Sequence, residues 1–185
     1  MSSFYSADEL HKIGFASFGE NVLISRKASI YRPEVIHMGN SVRIDDFCIL
    51  SGGKEISLGN YVHISAYCAI YGGAGIHIDN FSGLSPRCTV FSESDDFGGQ
   101  SMIGPFFPVE KYKPGYISAP VMLERYVQVG AHSTIFPGTT LAEGVAVGAH
   151  SLVLKNCEAW GIYAGSPVKR IKERSRQLLS YHVDQ

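Results

Sequence analysis

The sequence predicts an all-β solenoid, a parallel stack of triangular coils built from six-residue units. Three observations predict it. Apolar anchors recur every six residues at Phe18, Ile24 and Ile30, then Met38, Ile44 and Leu50, then Leu58, Ile64 and Ile70, then Ile78, Leu84 and Val90. The step between trios is eight, and from Leu123 a step of six runs unbroken through Val129, Ile135, Leu141, Val147 and Val153. Second, the place four residues after an anchor takes small or β-branched residues, and Cys48, Cys68, Cys88 and Cys157 all fall there. Third, 20 of the 185 residues are glycine and only 18% are charged. So little charge on a chain this short predicts either that much of its surface is buried against other subunits or that the fold is unusually sparing of polar residues. The net charge of −1 argues against a basic nucleic-acid footprint. No run approaches the ~18 apolar residues of a membrane span, and no signal-peptide pattern opens the chain. A cytoplasmic protein without a membrane span is expected.

Taken in order, Ser6 and Glu9 form a capping box for a helix that reaches about Ile13 and stops at Gly14. Residues 1–16 are expected to cover the open first coil, whose bare strand edges would invite aggregation. Within the coils, triplets such as Val62-His63-Ile64 and Val145-Ala146-Val147 alternate with period two. Each hexad is then a short strand plus a corner, and three make one coil. The two extra residues of the early coils fall in Tyr31–Val35, Ser51–Glu55 and Tyr71–Gly75 and predict a stacked ridge at one corner. The cysteines read as buried fillers stacked from coil to coil, ahead of disulfide partners, metal ligands or a nucleophile.

Residues 95–120 break the repeat. Pro105, Pro108, Pro114 and Pro120 argue against regular strand or helix there, while Phe97, Phe106, Phe107, Tyr112 and Tyr116 are too many aromatics for a flexible linker. An ordered loop of this length is usually functional. The coils resume at 121, so a β-helix over 17–158 is expected, with 95–120 excluded from it. In the closing segment, 159–185, Ser166 reads as an N-cap with Pro167 at the first helical position. Val168, Ile171 and Leu178 supply an apolar stripe for that C-terminal helix.

The run Val129-Gly130-Ala131-His132-Ser133-Thr134-Ile135, its continuation to Val153, and the closing Trp160–Ile171 segment resemble the hexapeptide-repeat acyltransferases. The resemblance spans about residues 18–175. It implies a left-handed parallel β-helix, an exception to the right-handed crossover rule, and a homotrimer with active sites between subunits. It also implies acetyl-CoA as co-substrate, lying in a groove between subunits along the C-terminal coils, with no metal. Gly130, Ala131, Gly148 and Ala149 would let the pantetheine approach the backbone. Lys169 and Arg170, with Lys172 and Arg174 behind them, would meet the phosphates through charge-assisted contacts; a solvated basic helix is the alternative. Trp160 would stack on adenine or plug the last coil. His132 and His150 are one coil apart at the same corner and are expected to stack.

In such enzymes a loop histidine commonly acts as general base. Here Ser92–Phe97 holds none, and the matching residue is Asp95, or Asp96 if the register slips by one. A carboxylate with an ordinary pKa of ~3.9 is a poor base near neutral pH. It suffices, however, to attract an ammonium group and hold an amine, which is nucleophilic once neutral. The missing histidine therefore favours an amino acceptor, with His63 in reserve as a base. Asp95 and Asp96 also read simply as a solvated turn pair. The strings Ser94-Asp95-Asp96-Phe97 and Val145-Ala146-Val147-Gly148-Ala149 resemble a subgroup of bacterial polysaccharide-cluster sugar acyltransferases. That implies N-acetylation of a nucleotide-linked amino sugar, dTDP-4-amino-4,6-dideoxyglucose, for surface polysaccharide (O-antigen) biosynthesis. Sugar O-acetylation is the alternative, and it would want the absent loop histidine. A zinc hydratase on the same fold would need converging histidines, and His132 and His150 lack the paired spacing.

Overall fold

The computed structural model describes residues 3–102 and 115–181. The chain winds as a left-handed parallel β-helix whose faces are three sheets of six, eight and six strands, parallel throughout except for the last strand of the second. Sheet one stacks strands from Ser17–Phe18 to Thr140–Leu141. Sheet two begins at Leu23–Ile24 and closes with Gly161–Ala164 and Lys169–Glu173. Sheet three runs from Ser29–Tyr31 to Leu152–Val153.

The anchors explain the fold. Every anchor except Phe18 and Ile30, which belong to the first coil, is buried, and each fully buried aliphatic side chain contributes about 1.5–3 kcal/mol. The register puts anchor on anchor: Ile44 lies beside Ile64, and Leu84 beside Ile64 and Val129. The filler cysteines stack beneath the corners. Cys48, Cys68 and Cys88 direct their thiols to the carbonyls of Ser65, Ser85 and Gly130 at 3.1–3.2 Å. All four cysteines are free and buried, and burial pushes the Cys48 and Cys157 thiols up to about 11. Buried in the core, none of the four thiols is open to a substrate.

The corners hold two features that the hexad pattern did not disclose. The side chains of Asn40, Asn60 and Asn80 accept the backbone N–H groups of Glu20, Asn40 and Asn60 at 2.6–2.8 Å, a ladder down one edge. Their spacing of 20 is the same signal that exposed the cysteines. Beside them Tyr61, Phe81, Tyr126 and Trp160 occupy the left-handed backbone region and stack in sequence. Such bulky residues rarely sit there; ring contact from coil to coil compensates. Trp160 is 5% exposed, packed under the Arg176 guanidinium and over Gly144. It plugs the coil, and adenine has no access to its face.

The ends are closed differently. Helix α1, Ala7–Ile13, has both capping-box bonds and a left-handed Gly14 after it, and its Leu10 enters the core. The C-terminal helix expected from Ser166 does not form. Gly165 reverses the chain, and Lys169–Glu173 pairs antiparallel with Gly161–Ala164 as the last strand of sheet two. The reason lies in the edge: Gly161–Ala164 would otherwise leave backbone groups unpaired. The supposed stripe is also broken, since Ile171 is 60% exposed while Val168 is half-buried against the core. Among the described residues of that segment, the only helical ones are the short 3-10 turn Gln177–Ser180.

The excluded loop is also more regular than its prolines suggest. Glu93–Asp95 and Tyr116–Ser118 form an antiparallel ribbon at its base, with Asp95 opposite Tyr116. Pro120 follows the second strand without entering it, so it removes none of that strand's donors. Pro105, Pro108, Pro114, Phe106, Phe107 and Tyr112, and also His182, lie outside the described residues. Among the described residues no helix is long and apolar enough to cross a membrane.

Candidate active site

Gly130 and Gly148 stand one coil apart at the corner between sheets two and three. The N–H of Gly130 donates to Val147, and that of Gly148 donates to Tyr163. A Cβ on Gly130 would come within 2.5 Å of the Ala149 nitrogen. The coil above therefore demands this glycine whatever binds outside. Ala131 and Ala149 follow, and behind them the rings of His132 and His150 lie face to face, 4.7 Å apart and within 7° of parallel. Lys169 and Arg170 pair with Ala164 and Tyr163 on the terminal strand. The structure thus brings Gly130, Ala131, Gly148, Ala149, Lys169 and Arg170 into one strip at the C-terminal end. Lys169 is exposed; Arg170 shares its charge with Glu173 at 2.9 Å. Arg174 is unavailable to a ligand, because its guanidinium donates to the carbonyls of Tyr126, Gly144 and Val145.

The two loop carboxylates are not equivalent. Asp96 accepts the N–H groups of Gly98 at 2.7 Å and Gln100 at 2.9 Å, so both its oxygens shape the turn. Asp95 is exposed on the ribbon, and its carboxylate makes no hydrogen bond among the described residues. It is the one available to a ligand.

His63 sits on the outer face of sheet two, its Nε2 2.8 Å from Asp45, which also accepts from Arg43 at 2.7 Å. Partial burial of Asp45 opposes its ionisation, but the hydrogen bonds from Arg43 and His63 outweigh that and hold its pKa below the ordinary value. His63 is thereby committed to Asp45, and no hydrogen bond among the described residues joins it to Asp95. Above it the ladder reads Gly83, then Gln128, whose amide lies 3.4 Å from the Ser85 hydroxyl. Ser85 escaped the hexad analysis because it sits at a variable corner position. His37 and His77 lie on sheet one, His37 exposed and 3.0 Å from the Ser17 hydroxyl. No cluster of three metal-ligating side chains exists among the described residues.

No family model matches the sequence. A curated relative, dTDP-4-amino-4,6-dideoxy-D-glucose acyltransferase of Escherichia coli, is 40% identical over 172 residues, covering 92% of this chain and 88% of its own. Crystal structures of AntD, an N-acyltransferase from Bacillus cereus, are 50% identical. A variant bound to dTDP and coenzyme A superposes with a TM-score of 0.92 over 97% of this chain and 95% of that one. Another, bound to dTDP-4-amino-4,6-dideoxyglucose and coenzyme A, gives 0.91 over 97% and 94%. A hexapeptide-repeat acetyltransferase from Vibrio cholerae, at 20% identity and a TM-score of 0.60, shares the fold. Coil register, terminal segments and sequence identity along nearly the whole chain converge: the chain belongs to the hexapeptide-repeat acyltransferases, in the family of dTDP-4-amino-4,6-dideoxyglucose acyltransferase.

Proposed function

We propose that this protein transfers an acetyl group from acetyl-CoA to the amino group of dTDP-4-amino-4,6-dideoxyglucose, in the cytoplasm, for surface polysaccharide biosynthesis. The observation that carries the proposal is the exposed Asp95 carboxylate on a ribbon whose loop contains no histidine. An ammonium group is drawn to that carboxylate and loses one proton to solvent, and the neutral nitrogen then attacks the thioester carbonyl carbon. The C–N bond forms, the C–S bond breaks, and the proton shed by nitrogen passes to the departing thiolate, leaving an amide and free CoA thiol. Asp95 orients the nitrogen, and Asp96 keeps the turn in shape. Support for Asp95 over Asp96 comes from AntD, whose solved variants replace a serine and an aspartate ten positions further on. Ser85 and Asp95 have that spacing, and Pro86 stands ten before Asp96. The strip from Gly130 to Arg170 is the proposed seat of CoA.

The site is proposed to lie between subunits of a homotrimer, with 17–158 as the coiled body and 1–16 and 159–185 as its closing segments. Support comes from sheet three, whose outward rows are Ser29, Ile49, Ala69, Thr89, Thr134 and Leu152, and Tyr31, Ser51, Tyr71 and Phe91. None is charged, whereas sheet two presents Arg43, His63 and Lys172. A copy of the same chain suits a face of that composition.

Thiol release from acetyl-CoA tests the activity against nucleotide-linked 3- and 4-amino sugars and plain hexosides, with 3-hydroxybutyryl-CoA as a second donor because AntD was solved with it. Turnover of the 4-amino sugar is expected. Turnover of hexosides alone would overturn the proposal, and a sedimentation mass of one chain would overturn the trimer.

A further inference from the structure

Gly73 has no backbone reason to be glycine, because its φ lies outside the left-handed region. The three atoms nearest a Cβ placed there all belong to Glu93, with its carboxylate foremost. The ridge of the third coil is thus cleared for one oxygen of Glu93, and the other accepts the Ser118 hydroxyl at 3.0 Å from the facing strand. Nearby, the buried Ser92 hydroxyl donates to the Tyr71 carbonyl and accepts the Ala74 N–H, both at 2.9 Å. Ala119 closes the ribbon onto the Ser92 carbonyl at 3.0 Å. The ribbon therefore leaves the coil through a fixed foot, and Glu93 is the part of it that reaches both the coil and the opposite strand. Glu93 and Asp95 are two residues apart on one strand, so their side chains emerge on the same side.

We propose that Glu93 is a positioning residue for Asp95: seated over Gly73 and held by Ser118, it sets the pitch at which the ribbon presents the Asp95 carboxylate to the acceptor. This rests on the proposed role of Asp95. Glu93 is exposed, so its removal leaves the core intact and thermal stability nearly unchanged. Displacement of the ribbon by a fraction of an ångström is costly at the reacting centre, where ~1 Å of misplacement lowers rates by up to about 100-fold. Gly73→Ala acts by the same route, since its methyl group pushes the Glu93 carboxylate off its seat.

The test is a double-mutant cycle read by thiol release with the amino sugar. Glu93→Ala and Gly73→Ala are each expected to lower kcat/KM by about tenfold at an unchanged melting temperature. Glu93→Gln, which keeps the length and one acceptor, is expected to recover most of that loss. In an Asp95→Asn background the Glu93→Ala change is expected to cost less than about twofold, because interacting positions are not additive. Ser118→Ala, which removes only the donor, serves as an independent variant. An equal loss from Glu93→Ala in both backgrounds, or no loss while Asp95→Asn is impaired, overturns the positioning role and leaves Asp95 standing. Full activity in Asp95→Asn overturns the role of Asp95 itself, and the positioning role with it.

Discussion

At the scale of single residues, the same side chain can be demanded by the fold and by the chemistry, and close contacts separate the two. Gly130 illustrates this. Its place in the proposed CoA strip suggests a ligand, yet the Ala149 nitrogen at 2.5 Å from any added Cβ already requires glycine. Gly130→Ala is expected to destabilise the protein by about 1–3 kcal/mol, the usual cost of overpacking, measured by denaturant unfolding without any ligand. A variant as stable as the parent would assign the glycine to binding alone. Asp95 and Asp96 divide in the same way: adjacent in sequence and chemically identical, Asp96 spends both oxygens on the turn and Asp95 spends neither on any of the described residues.

At the scale of elements, local signals succeeded where the deciding partner was close in sequence. The capping box of α1 was legible because Ser6 and Glu9 complete each other within one turn. It also has a pH signature. Arg26, with help from the Ser6 backbone and side chain, holds Glu9 down to about 2 from 4.5. The unfolded chain therefore binds that proton more tightly, so the contribution of Glu9 is complete above about pH 4.5 and fades as pH falls toward 2. The melting temperature of the parent is expected to fall relative to that of Glu9→Gln across that window, and a constant difference would contradict the linkage. Local signals misled where the partner was remote. Ser166 and Pro167 look like a helix start, but the unpaired Gly161–Ala164 edge recruited the following residues as a strand. The ribbon strand Tyr116–Ser118 was hidden by flanking prolines and by a partner more than twenty residues earlier. For the same reason Asp95 was legible as a candidate, while the Glu93 seat on Gly73 and the Ser85–Gln128 contact needed coordinates.

At the scale of the molecule, stability is a sum over coils, each bonded to its neighbours. Ile64 occupies the middle of that sum, wholly buried with a stacked anchor on either side. Ile64→Ala is expected to cost about 2–5 kcal/mol by chemical denaturation. A substitution at Phe18, half-exposed in the first coil, should cost less, and equal costs would contradict a graded stack. The repeat was legible because one rule, apolar every six residues, was enforced at every coil by the same burial.

The terminal strand has a further consequence. Four of the five residues in Lys169–Glu173 are charged and every one is exposed, while at the opposite end α1 lies over the first coil with Leu10 in the core. A stack of coils is otherwise a natural polymer, able to lengthen wherever one end meets another. With a helix over one mouth and a charged, reversed strand along the other, head-to-tail growth is blocked at both. Copies of the chain would then meet sideways, prism against prism. The homotrimer proposed above is such a closed ring instead of a fibre, and its clefts would run along the length of the coils.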